Sequence, residues 1–131
     1  MQIDSPKIIV SKSQEDVFSF LSNVKNFKSL MPQNISKFEI LENDKFIFAL
    51  SGMPEIVLKK KEEYPHSSIV LGAAGGKLDF SLKAEISLTE NEQTQVQLSF
   101  SGDFNPMMAM MIKAPITKFV ETLAQNIPSA I

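Results

Sequence analysis

Between Ile35 and Ser101 apolar side chains recur at every second position, and this period constrains the fold more than any other feature of the chain. Leu78, Phe80, Leu82, Ala84, Ile86 and Leu88 alternate with Asp79, Ser81, Lys83, Glu85 and Ser87, and Val96, Leu98 and Phe100 alternate with Gln95, Gln97 and Ser99. Neighbouring side chains of a strand point to opposite faces, so each strand acquires one dry face and one wet face. That is the pattern of an antiparallel sheet covered on one side. Phe38 and Ile40, then Phe46, Phe48 and Leu50, follow the same rule, and Ile56–Tyr64 and Ile69–Leu71 read as two further strands. Turns are expected at Glu42–Lys45, Ser51–Pro54, Pro65–Ser68, Gly72–Gly76 and Glu90–Glu92.

Helical spacing brackets this block. After a β-branched strand, Lys7–Val10, Ser13 precedes Gln14, Glu15 and Asp16, a hydroxyl cap followed by acids that suit a helix dipole. Val17, Phe18, Phe20, Leu21 and Val24 then fall at helical intervals. Asn23 and Asn26 signal a break and restart before a second apolar face of Phe27, Leu30 and Met31, which Pro32 ends. Near the C-terminus Met108, Ile112, Ile116, Phe119 and Leu123 form one stripe on a helix, with Val120 and Ile127 at its margin. Pro115 lies within that stripe and is expected to kink or break the helix. The predicted order is one strand, two short helices, six antiparallel strands and a long helix, a single α+β domain over residues 1–131.

Composition narrows the chemistry. At 131 residues the chain has the length of one domain, and 44% hydrophobic with 21% charged residues excludes disorder. With no cysteine there is no disulfide, thiolate nucleophile or zinc–sulfur site, and the single histidine, His66, excludes a multi-histidine metal site. No metal and no cofactor is expected. All 13 basic residues are lysines, and a formal charge of −2 argues against a nucleic-acid partner. No secretory signal is visible and no apolar run approaches the ~18 residues that span a bilayer, so a cytoplasmic protein without a transmembrane segment is expected.

The segment Ile8–Ile9–Val10–Ser11–Lys12–Ser13–Gln14–Glu15–Asp16–Val17–Phe18, followed by Phe20–Leu21–Ser22–Asn23, resembles the opening of the START, pollen-allergen-like and polyketide-cyclase-like (SRPBCC) superfamily. Asn26–Phe27–Lys28–Ser29–Leu30–Met31–Pro32 resembles its second short helix and exit, and the element order matches over essentially the whole chain. The resemblance implies a helix-grip fold, in which a curved seven-stranded antiparallel sheet wraps the long C-terminal helix. It also implies an apolar ligand, lipid-like or otherwise hydrophobic, between sheet and helix. The lining carried over is Phe46, Phe48, Leu50, Leu71, Phe80, Leu82, Leu98 and Phe100 from the sheet, with Met108, Met111, Ile112, Ile116 and Phe119 from the helix. Phe27, Leu30 and Met31 are placed near the opening. Each of these residues also reads as ordinary core. The alternatives are a cyclase- or dehydratase-like enzyme using the same cavity and a protein-interaction module with a packed core.

The remaining motifs carry less. Met107, Met108, Met110 and Met111 are adaptable side chains suited to varied apolar contacts, and Met107 and Met110 fall off the buried stripe, where a protein partner would meet them. Lys60, Glu62 and Tyr64 share a strand face with Ile56 and Leu58; they are candidate polar anchors for a ligand head unless a bulge near Leu58 turns them to solvent. Gly72–Ala73–Ala74–Gly75–Gly76–Lys77 fails as a phosphate loop, having Leu71 where glycine and Leu78 where serine or threonine is required. His66, after Pro65, reads as an exposed turn residue. No catalytic residue is assigned, and the chain reads as a binder rather than an enzyme.

Overall fold

The computed structural model describes residues 1–42, 44–53, 55–74 and 79–131, and of Asp79 the backbone only. The expected Gly75–Gly76 turn, Lys77 and Leu78 lie outside the described residues, as do Asn43 and Pro54 of two other turns. The elements are β1 (Gln2–Asp4), β2 (Ile8–Val10), α1 (Gln14–Ser22), a 3₁₀ helix (Val24–Leu30), β3 (Ile35–Leu41), β4 (Lys45–Leu50), β5 (Ile56–Tyr64), β6 (Ser68–Ala73), β7 (Asp79–Leu88), β8 (Thr94–Asp103) and α2 (Pro106–Ala130). The strands form one antiparallel sheet in the order β1-β8-β7-β6-β5-β4-β3, with β2 also paired to β8. This is the α+β helix-grip arrangement, with one strand more than the seven expected.

The extra strand is β1. Only Ile3 of its three residues is buried, so it carries no alternation to read. Strands β1 and β2 are two halves of one edge, interrupted by Ser5 and Pro6. Ser5 is buried, its amide donates to the Leu98 carbonyl at 2.8 Å, and its hydroxyl accepts from the Leu98 amide at 2.9 Å. The hydroxyl thus stands where a partner strand's carbonyl would, and the ladder continues across the break.

Helix α1 starts as its sequence dictates: the Ser13 hydroxyl accepts from the Asp16 amide at 3.0 Å. Asn23 ends it, and the Asn23 side chain caps the next helix by accepting from the Lys25 amide at 3.1 Å. The second short helix is 3₁₀ throughout its seven residues. Asn126 of α2 donates to the Leu30 carbonyl at its end, tying the two helices at 2.9 Å.

The even-numbered side chains of β7 and β8 form the dry face as expected, from Phe80 to Ile86 and from Val96 to Phe100. Leu88 departs from this: at the strand's end it is 54% exposed. Gly72 and Ala73, expected in a turn, continue β6 instead. A Cβ on Gly72 would sit 2.9 Å from Cγ of Lys61, so glycine lets that lysine stem lie across the sheet. Helix α2 is capped by Asn105, whose side chain accepts from the Met108 amide at 2.8 Å, with Pro106 in the first turn. It runs unbroken through Pro115, so the expected break is absent. One turn along the same helix, the Thr117 hydroxyl donates to the Lys113 carbonyl at 2.6 Å.

Candidate functional site

The seam between sheet and helix is sealed most densely by the second half of α2. There Ile116, Phe119, Val120, Leu123, Ala124 and Ile127 are all buried. Phe119 lies flat on Phe48, ring centroids 4.9 Å apart and planes 8° apart. The first half is held less. Of residues Pro106 to Ala114 only Ile112 is buried, with Met108 and Ala109 half-buried, whereas Met107, Met110 and Met111 are 75%, 82% and 70% exposed.

Beneath this first half lies a small void of ≈ 20 Å³. Phe80 and Phe100 border it from the sheet, Ile56 from β5, Phe104 from the segment before α2, and Met108, Ile112 and Ile116 from the helix, with Met53 closing it from the β4–β5 connection. These side chains are all hydrocarbon or thioether. Phe80, Phe100 and Phe104 form a column of near-parallel rings, with centroids 5.5 Å and then 6.2 Å apart. A second void of ≈ 10 Å³ touches Phe27, Leu71, Leu82 and Leu98 on the α1 side. A third gap, ≈ 50 Å³, opens beside Pro115 between Leu50 and Phe119. About 10–15 Å³ admits one water, whereas a drug-sized ligand needs roughly 300–1,000 Å³. The interior is therefore closed and packed in this conformation.

The predicted lining separates accordingly. Phe80, Phe100, Met108, Ile112 and Ile116 come together at the void under α2, while Phe27, Leu71, Leu82 and Leu98 border the second. Phe46 and Phe48 are core beneath neither, and Leu50 and Phe119 border the gap at Pro115. Phe27 and Leu30, expected near an opening, are buried, and Met31 is half-buried. Met111, expected in the lining, is exposed to solvent because it sits off the face of α2 that carries Met108, Ile112 and Ile116. At the void under α2 three lining residues were not anticipated: Met53, Ile56 and Phe104. Phe104 had a signal, since it continues the even-numbered inward series of β8 past Gly102; Met53, in a turn, had none.

The polar candidates do not reach the void. A bulge in β5 falls between Lys60 and Glu62, just beyond Leu58. Beyond it Glu62 and Tyr64 turn outward, and the Tyr64 hydroxyl donates to Glu62 Oε2 at 2.9 Å. Lys60 pairs with Glu63 and Asp44 rather than Glu62, and its Nζ donates to the Ser22 carbonyl at 3.0 Å. Helix α1 has no base in its own last turn, so Lys60 completes its C-terminus from the sheet. Burial acts against its charge, but Glu63 and Asp44 outweigh that and hold its pKa above the ordinary lysine value. His66 is an exposed turn residue with φ 68°, edge-on to Phe18 at 5.7 Å.

The family model of CoxG, a carbon monoxide dehydrogenase subunit, matches residues 7–131. The chain belongs to the CoxG family. No curated protein matches it in sequence. Solved structures similar to this CoxG-family chain include truncated norcoclaurine synthase from Thalictrum flavum, with a TM-score of 0.76 at 14% identity over 98% of this chain and 91% of that one. A START superfamily protein from Mycobacterium smegmatis gives 0.72 at 15% identity over 98% and 94%. The Aha1 dimer from Colwellia psychrerythraea gives 0.62 at 18% identity over 99% and 98%. At these identities the likeness carries the helix-grip fold and nothing finer. Among the described residues no helix is long and apolar enough to cross a membrane.

Proposed function

We propose that this CoxG-family chain binds and carries a small apolar molecule between the sheet and the first half of α2, which opens about Pro115 to admit it. The observation that carries the reading is the void under Met108, Ile112 and Ile116, lined without a polar side chain at the place where the helix is held least. Pro115 has no amide to donate to the Met111 carbonyl, so the helix lacks a hydrogen bond at the boundary between its thinly and densely packed halves. Methionine at Met53 and Met108 suits a wall that reshapes around its contents. Of the structures with this fold, norcoclaurine synthase is described in complex with dopamine and hydroxybenzaldehyde, two small organic molecules. A cyclase- or dehydratase-like activity has less behind it, since none of the residues bordering the void is titratable.

Replacing Ile112 with Trp should fill the space and lower the affinity for a fluorescent fatty acid at least tenfold while far-UV circular dichroism stays unchanged. Absence of probe binding by the wild type would overturn the carrier reading. A second reading then leads, on a separate observation: Met107 and Met110 present exposed apolar side chains suited to a protein partner.

A further inference from the structure

The two edges of the sheet are finished differently. At one, the edge strand is interrupted between β1 and β2, and Pro6 there offers no amide to a further strand. At the other, β3 ends the sheet, paired only to β4, with a bulge between Ile35 and Lys37 and regular register from Lys37 to Leu41. The inward side chains here, Phe38 and Ile40, are only half-buried, although the aromatic ring of Phe38 stacks on Phe46 at 5.4 Å. Its outward charged side chains are Lys37 and Glu39, both exposed and of opposite sign. Edge strands are commonly guarded against other strands by charged side chains, lysine above all. This edge is neutral.

We propose that β3 is a self-pairing edge, joining antiparallel to β3 of a second copy of this chain about a two-fold axis at Phe38. Residues at equal distances on either side of the axis face each other in such a pair. Centred on Phe38, Lys37 of each copy stands opposite Glu39 of the other, and the two Phe38 rings meet on the inner face. Shifting the centre by one residue to Glu39 sets two glutamates face to face. Opposite charges directly across a strand pair stabilise and like charges destabilise, so charge selects the Phe38 register. In the single chain the exposed Lys37 bridges Glu55 at 2.9 Å across Ala49, on the side away from the free edge, and in the pair its ammonium turns from Glu55 to Glu39 of the second copy.

Sedimentation of the whole chain tests this through charge exchange. The wild type should pass from monomer to dimer as concentration rises between roughly 1 µM and 1 mM, the affinity range of a weak association. Glu39→Lys alone sets lysine against lysine, and Lys37→Glu alone sets glutamate against glutamate. Each should raise the dissociation constant about tenfold or more, equivalent to ~1.4 kcal/mol. Mixing the two variants restores two complementary pairs and should return a heterodimer of near wild-type affinity. Circular dichroism and melting of each variant verify that both fold. A wild type that stays monomeric throughout, a dimer indifferent to both substitutions, or variants that fail to recover on mixing would each overturn the proposal.

Discussion

Phe119 joins helix to sheet through its stacked contact with Phe48, and its truncation should be among the costliest single changes. Phe119→Ala is expected to lose about 3–5 kcal/mol, as buried aromatic truncations do. A thermal or urea unfolding curve checks it, and an unchanged midpoint would detach α2 from the core. Ser5 acts by hydrogen bonding instead. Ser5→Ala leaves the buried Leu98 amide without an acceptor and should cost about 1–3 kcal/mol, with hydrogen exchange accelerated at Leu98. Lys60 gives a pH signature. Its folded pKa lies above the unfolded value, so the stability it contributes is complete below the unfolded pKa and lost as pH rises through the folded one. Lys60→Met should therefore flatten the alkaline limb of stability against pH; a limb of undiminished slope would contradict the network. Phe119 was legible from its stripe. Ser5 and Lys60 were not, because their partners, Leu98 and Ser22, are far away in sequence and only the fold brings them close.

Helix α2 shows where periodicity informs and where it stops. The stripe from Met108 to Leu123 faces the sheet as its spacing requires, yet the spacing did not tell that the first half would be thinly held. Pro115 suggested a break, yet the helix is continuous through it, with the buried Ile112 and Ile116 on either side. An interior proline costs a helix about 3 kcal/mol relative to alanine. Pro115→Ala should accordingly raise the melting temperature and slow association of a fluorescent fatty acid in stopped-flow mixing, because an α2 with its Met111 carbonyl bonded opens less. A variant that is no more stable, or that takes up the probe at the wild-type rate, would separate Pro115 from any opening. Strand β5 illustrates the opposite limit. Strict alternation placed Lys60, Glu62 and Tyr64 on one face, and a single bulge after Lys60 sends the later two outward, since one extra residue reverses every side chain that follows.

At the scale of the whole molecule, element order and the dry face of β7 and β8 were legible because they are local, repeated signals. Strand β1 was too short to signal, and the size of the interior space was beyond reach. A cavity is a difference between the volume enclosed and the volume filled, and Phe80, Phe100 and Ile112 would look alike lining a ligand or packing a core. The structure closes that space to ≈ 20 Å³ under α2, so carriage demands that the first half of the helix move. Methionine methyl groups report this directly. Of the seven methionines, Met53 and Met108 border the void, whereas Met31 lies away from it. Carbon-13 methyl spectra of the intact chain, recorded while a fatty acid is titrated in, should show saturable shifts at Met53 and Met108 with Met31 unmoved. Shifts confined to exposed Met107, Met110 and Met111, or none at all, would contradict binding beneath α2.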